Sequence, residues 1–323
     1  MRILVTGGAG YIGSHLIDRL MEEGHQVFVI DNLFTGHVAN IAHHLGHERF
    51  TFVNEDILHR ETMEWLVRQV DLIYHLAAVV GVKHVIDNPL KGIMTNVRGT
   101  ERVLELANKY WRKVVIASSS EVYGKSERVP LAEEDDSILG PTDVGRWSYA
   151  LSKAIDEQVA FIYHAQGLPV AIVRYFNSYG PRLDPRGYGS VVAKFIGQAL
   201  RGEPLTVFDD GRQTRCFTFV EDTVRGTILA ATLPQAEGLA FNIGSNRETS
   251  ILELARLIVR LTGSDSEIRN LSYNEAYGSG FEETRRRVPD VRRAAEVLGF
   301  ETRVSLEEGL QRTIEWFKST MLQ

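Results

Sequence analysis

One cysteine in 323 residues, Cys216, excludes an intrachain disulfide and any metal site built on several thiolates. No apolar run approaches the roughly 20 residues that a membrane-spanning helix needs. Excess positive charge is missing too. Lys and Arg number 36 against 42 Asp and Glu, and the net charge of −6 argues against a nucleic-acid or membrane-surface binder. An anionic ligand must therefore meet local clusters of cations. The opening Met1-Arg2-Ile3-Leu4-Val5 runs straight into glycines, without the basic start and long apolar core of an export signal. With the single thiol, this leads to the expectation of a cytoplasmic protein. Repeats, low-complexity tracts and a flexible linker are absent as well. What remains is a globular composition, 44% hydrophobic and 24% charged, long enough for one large domain or two lobes sharing a cleft.

Short β-branched runs alternate with longer helical patterns through the first half, the mark of a parallel sheet with crossover helices. Strands are predicted at residues 2–6, 26–30, 50–54, 72–75, 113–117 and 170–175, and helices at 12–23, 61–70, 89–109 and 147–164. Such strand–helix units in series predict an α/β fold with a Rossmann-type doubly wound parallel sheet. After Tyr175 the pattern loosens at Gly180, Pro181, Pro185, Gly187 and Gly189. Further helices are predicted over 190–201, 221–233, 250–262, 289–298 and 305–321, with strands over 205–208 and 240–243. Residues 1–175 and a returning segment near 215–245 are expected to form one domain, and the rest of 176–323 a smaller α/β lobe.

The run Thr6-Gly7-Gly8-Ala9-Gly10-Tyr11-Ile12-Gly13 sets glycines three apart between the first strand and the first helix. Gly7, Gly10 and Gly13 answer three needs: a tight turn, close approach of backbone to a pyrophosphate, and packing of helix on strand. Tyr11 and Ile12 open a helix whose unpaired N–H groups face the phosphates. Asp31 ends the second strand 18 residues past Gly13. A carboxylate there accepts both adenosine ribose hydroxyls and repels a 2′-phosphate, which favours NAD over NADP. Asp56, just after the third strand, is expected at the adenine edge. Leu76, Ala77 and Ala78 close the fourth strand with small side chains that let backbone approach the cofactor, although tight packing would ask for the same. Asn32, Ile57 and Tyr175 complete the expected cofactor-binding set.

Ser148-Tyr149-Ala150-Leu151-Ser152-Lys153 puts a phenol and an ammonium four residues apart on one helical face. A free tyrosine with a pKa near 10 is a poor base at neutral pH. A neighbouring ammonium and a positively charged nicotinamide favour the phenolate and bring it toward the working range. The spacing alone means little, since 11 tyrosines and lysine at roughly 6% of residues give about 0.7 such pairs by chance. Ser118-Ser119-Ser120 adds the weight. It follows the fifth strand at the carboxyl edge, where such sheets bind ligands and where a hydroxyl can bridge a substrate alcohol and the tyrosine.

In these motifs the chain resembles the extended short-chain dehydrogenase/reductases, and among them the enzymes of nucleotide sugars. The resemblance runs through residues 6–13, Asp31-Asn32, His75-Leu76-Ala77-Ala78, Asn96, residues 118–124, Tyr149 with Lys153, Arg174-Tyr175-Phe176-Asn177, Gly180-Pro181-Arg182 and Gln213-Thr214-Arg215. It implies that Tyr149 is the base, Lys153 its tuner and nicotinamide-ribose ligand, and Ser119, with Ser120 beside it, the partner of the substrate hydroxyl. Asn177, Arg182 and Arg215 are implied substrate contacts, the first and last of them at a diphosphate. Arg287 resembles another substrate-side arginine, while Arg285 and Arg286 read as a solvated helix start. The first domain then binds NAD and the second lobe a UDP-sugar, with no metal. The helices at 89–109 and 147–164 are implied to pair across a two-fold axis as the four-helix interface of a homodimer.

By the same resemblance the reaction begins with oxidation at sugar C4, and its outcome turns on few residues. Glu121 occupies a position where simple UDP-galactose epimerases lack an acid and where decarboxylases and dehydratases carry one. Arg146-Trp147-Ser148-Tyr149 and Gly180-Pro181-Arg182-Leu183-Asp184 resemble bacterial UDP-glucuronate decarboxylases. Val79-Val80-Gly81-Val82-Lys83-His84-Val85 is instead similar to UDP-glucuronate 4-epimerases, with Lys83 placed to hold the uronate carboxylate. The expectation drawn is 4-epimerisation of a UDP-sugar, UDP-glucuronate to UDP-galacturonate. The runner-up is UDP-glucuronate decarboxylation to UDP-xylose or a 4-keto-pentose. A 4,6-dehydratase and a non-catalytic NAD sensor stand behind both.

Overall fold

The computed structural model describes residues 1–80, 89–184, 189–272 and 284–321. In chain order the first elements are β1 (Arg2–Thr6), α1 (Tyr11–Glu22), β2 (Gln26–Ile30), β3 (Phe50–Val53), α2 (Arg60–Gln69), β4 (Leu72–His75), α3 (Pro89–Tyr110), β5 (Lys113–Ser119), α4 (Ser148–Ala165) and β6 (Val170–Tyr175). There follow β7 (Ser178–Tyr179), α5 (Val191–Leu200), β8 (Leu205–Phe208), β9 (Thr214–Cys216), β10 (Thr218–Phe219), α6 (Val220–Thr232) and β11 (Ala240–Ile243). The last are β12 (Glu248–Ser250), α7 (Ile251–Thr262), β13 (Ile268–Leu271), α8 (Arg292–Leu298) and α9 (Leu306–Met321). No helix among the described residues is long and apolar enough to cross a membrane.

Seven parallel strands form one sheet in the order β11-β6-β5-β4-β1-β2-β3, a Rossmann-like arrangement. Val5 lies opposite Val29 on one side and Tyr74 on the other. The strands are apolar on both faces because helices cover both. Alternation sorts their side chains: Ile3, Val5, Val27 and Val29 pack in one core with α1, and Leu4, Phe28 and Ile30 in another with α2 and α3. The chain reverses its direction of travel across the sheet between β1 and β4. This is the switch point at which such sheets open a crevice beyond their carboxyl ends.

Three details differ from the sequence reading. Strand β5 runs two residues further than expected, pairing Ser118 with Arg174 and Ser119 with Tyr175, so these serines stand on the strand itself. Helix α8 starts at Arg292 rather than Pro289. Pro289 is held in an extended bridge to Leu131, and the Asp290 carboxylate accepts the Arg292 N–H. Three two-stranded ladders, β10-β7, β12-β9 and β13-β8, are formed by runs of two to four residues. Apart from β8 and β13, of four residues each, these runs are too short to carry a periodic signal.

A buried polar network ties the sheet to the segments above it. Arg174 donates to both oxygens of Glu157 on α4, at 2.9 and 2.6 Å, and to the Tyr123 hydroxyl at 2.9 Å. Tyr123 in turn donates to Asn242 Oδ1 on β11. The Asn242 amide reaches the carbonyls of Leu131 and Asp290, binding two loop segments to one strand. Arg174→Met would leave the Glu157 carboxylate buried without its guanidinium. We expect a loss of about 3–5 kcal/mol in denaturant unfolding; a loss below about 1 kcal/mol would place this pair with surface ion pairs.

Candidate active site

At the switch point a cleft of about 520 Å³ opens over the ends of β1, β4, β5 and β6. Gly7 stands at φ +71°, where a side chain is strained, and a Cβ on it would lie 2.7 Å from the Ala77 nitrogen. A Cβ on Gly13 would lie 2.3 Å from the Gly7 oxygen. The loop is therefore closed against both its own helix and β4, and only glycine fits. Gly10 is the N-cap of α1 and no side chain caps it. The first amides of α1 thus face the cleft as an open anion site.

Asp31 is buried at the end of β2, accepting the Ala9 and Leu33 N–H groups at 2.9 and 2.8 Å. Its oxygens keep lone pairs for further donors. Asn32, Ile57, Leu76, Ala77, Ala78 and Tyr175 line the same cleft. The glycine cradle, uncapped helix and carboxylate together fit a dinucleotide. Asp56 is not brought to the lining: it accepts Asn32 Nδ2 and the Leu58 amide instead, and fastens the loops after β2 and β3 together. Sequence reasoning missed the loop of Phe34, Thr35, His37 and Asn40, which also lines the cleft and is tied to the Ala9 carbonyl by His37 and Asn40. Gly36 was its legible signal, since a Cβ there would sit 2.9 Å from Asp31 Oδ2.

Deeper in, Ser119, Ser120, Glu121, Tyr149, Lys153 and Arg287 converge on one wall. Tyr149 bonds with Ser119. Burial pushes the Tyr149 phenol well above its ordinary value, helped by the charges of Glu121 and Asp156, while Ser119 opposes the rise. The Lys153 ammonium, expected to favour the phenolate together with a nicotinamide cation, lies 3.2 Å from the buried Asp156 carboxylate. Glu121 is clamped between Arg146 Nη1, at 2.7 Å, and Arg287 Nη1. Burial alone would raise the Glu121 carboxyl, but Arg287 and Arg146 more than offset it and hold it well below the carboxylate range. The two guanidiniums thus favour its anionic form.

Asn177 also lines the cleft, at φ +34° and with its Oδ1 buried without a partner. Arg182 lines it as well, with one guanidinium nitrogen 2.7 Å from Asp18 and the other buried and unpaired. Asp18 also accepts His43 and His44 at 2.7 and 2.8 Å. Those imidazoles share a carboxylate whose charge Arg182 already answers. Arg215 is outside the lining, on β9, where its side chain donates to the Thr214 carbonyl. Lys83 falls outside the described residues.

The profile of the family described as GDP-mannose 4,6 dehydratase matches residues 4–313. The chain is 44% identical to a UDP-N-acetyl-alpha-D-glucosaminuronate decarboxylase of Bacillus cytotoxicus over 98% of both chains. It is 42% identical to UDP-glucuronic acid decarboxylase 1 of Xenopus tropicalis, covering 99% of this chain and 73% of that one. Among solved structures, the UDP-glucuronic acid 4-epimerase of Bacillus cereus, in complex with UDP-glucuronic acid and NAD, superposes with a TM-score of 0.86 at 31% identity. That match covers 99% of this chain and all of the other.

One further buried group under the cleft sets a pH response. His75 lies between the Thr6 and Thr100 hydroxyls at 2.8 and 3.1 Å, and burial, with the Lys153 charge, lowers its pKa from 6.5 to about 3. The unfolded chain therefore binds one more proton than the native one across this window, so stability rises with pH from about 3 to 6.5 and is lost on acidification. The slope from this group is up to about 1.4 kcal/mol per pH unit. Replacing His75 by Gln should flatten the denaturation midpoint between pH 6.5 and 5; an unchanged slope would remove His75 from the response.

Proposed function

The chain belongs to the GDP-mannose 4,6-dehydratase family, within the extended short-chain dehydrogenase/reductases of nucleotide sugars, and on that premise we propose that it decarboxylates a UDP-uronate through transient oxidation at C4. NAD, when bound, supplies a hydride acceptor at C4 and returns the hydride. The α1 amides of Tyr11, Ile12 and Gly13 hold its pyrophosphate and Asp31 its adenosine ribose. Lys153 holds the nicotinamide ribose. Tyr149, bridged by Ser119, takes the proton of the C4 hydroxyl. Asn177 and Arg182 face the sugar diphosphate.

The Glu121 clamp carries the choice of reaction. A C4 ketone makes the C6 carboxylate a β-keto acid: the C5–C6 bond breaks, carbon dioxide leaves, and the electron pair passes through C5 to the C4 oxygen until C5 takes a proton. A cation holding the carboxylate in place would disfavour this loss. In this cleft Arg287 is committed to Glu121 rather than left to hold a substrate carboxylate. The clamped Glu121 has no proton for a departing C6 hydroxyl, which counts against dehydration. The decarboxylase relatives support the same reading. A 4-epimerase is the second reading, favoured by the Gly81-Val82-Lys83 pattern. Exposed Leu90, Leu151 and Ile162 on α3 and α4 support pairing of these helices in a homodimer.

Incubation with UDP-glucuronate, and separately with UDP-N-acetylglucosaminuronate, followed by proton NMR, tests the reading. A nucleotide pentose lacking C6, with carbon dioxide released, is the expected product. A C4-inverted uronate that keeps its carboxylate would replace decarboxylation by epimerisation.

A further inference from the structure

The roles assigned to Tyr149 and Lys153 leave one buried charge beside them unused. Asp156 lies three residues past Lys153 on α4, its side chain 0% exposed and that of Lys153 3% exposed. One oxygen meets the ammonium at 3.2 Å, and the other, Oδ1, is buried with no hydrogen-bond partner. Thr100 approaches the carboxylate from α3 and also holds His75 at 3.1 Å. Asp156 does not line the cleft, whereas Lys153 does. A buried carboxylate costs free energy, and leaving one oxygen unsatisfied costs more. The cation partner of Asp156 is Lys153, which lines the cleft together with Tyr149.

Resting on that reading of Tyr149 and Lys153, we propose that Asp156 is a positioning residue. It anchors the Lys153 ammonium from behind, leaving the remaining N–H groups for the cleft, and offsets its charge so that Tyr149 keeps its proton until a positive charge enters beside it. The surroundings allow this division of labour. On its own helix Asp156 faces Lys153 and Glu157, and Glu157 is spent on Arg174 of β6 and Ser118 of β5. His75 of β4 is neutral. Glu121, after β5, is spent on Arg146 and Arg287, and its charge acts on the Tyr149 phenol in the same direction as that of Asp156. Among these groups, Lys153 is left to Asp156. A phenol so arranged stays an acid in the free protein and becomes a base when a cationic ring arrives, which couples cofactor loading to proton abstraction.

Asp156→Asn keeps shape and removes the charge. Tyrosinate near-ultraviolet titration of the protein, with Tyr149→Phe as the blank, should place the Tyr149 transition lower by about one pH unit. The acid limb of kcat/KM should move down by the same amount, because the active phenolate then persists to lower pH. Asp156→Glu should restore the wild-type titration. Should Asp156→Asn fail to fold, Asp156→Ser removes the same charge and the same titration decides. An unmoved phenol transition in a folded, charge-free variant overturns the proposal. Turnover that survives in Tyr149→Phe would instead refute the base assignment, and the titration would still report on Asp156.

Discussion

The bidentate pair of Arg174 with Glu157 joins the floor of the cleft to the helix that carries its chemistry. Arg174 belongs to β6 and Glu157 to α4, and Ser118 of β5 donates to the same carboxylate. Buried charges of this kind add little net stability unless every donor and acceptor is filled. Here the remaining guanidinium nitrogen is taken by Tyr123 and the Glu133 carbonyl. Through Tyr123 the network reaches Asn242, whose amide holds the carbonyls of Leu131 and Asp290. The segment that delivers Arg287 to the cleft is therefore registered against the same strands as Tyr149.

From that registration comes a site of opposed charges. Glu121 is an anion made permanent by two guanidiniums, and Lys153 a cation answered by Asp156. Between them Tyr149 is pushed toward the protonated state by burial. Families that share this sheet include enzymes that keep a uronate carboxylate and enzymes that expel it. The sheet and glycine loop are common to both, so they cannot account for that difference.

Much of this was legible in the chain. The strands of the sheet announced themselves as β-branched runs, and Gly7, Gly10 and Gly13 as a phosphate loop, because local conformation and packing demand those residue types in that order. Ser119, Tyr149 and Lys153 meet as expected. The clamp was not legible as a unit, since Arg146 and Arg287 lie 25 and 166 residues from Glu121 and only tertiary packing unites them. Asp156 reads on a helix as one more polar residue, and its burial appears only when α3 closes over α4. Asp56 and Arg215 stand apart from the cleft lining for a common reason: a charged side chain at a strand or its end is as readily engaged by neighbouring loops and strands as offered to a ligand.

The two amides that grip Asp31 tie cofactor choice to the shape of the phosphate loop. Ala9 belongs to the glycine turn, and Gly36 makes room for the carboxylate, since a Cβ there would lie 2.9 Å from Asp31 Oδ2. An ancestor or engineer exchanging Asp31 for a residue tolerant of a 2′-phosphate would release the Ala9 amide at the same stroke. A switch to the phosphorylated dinucleotide along this lineage is thus a two-locus problem, in which a replacement anchor for the turn has to come before or with the new specificity.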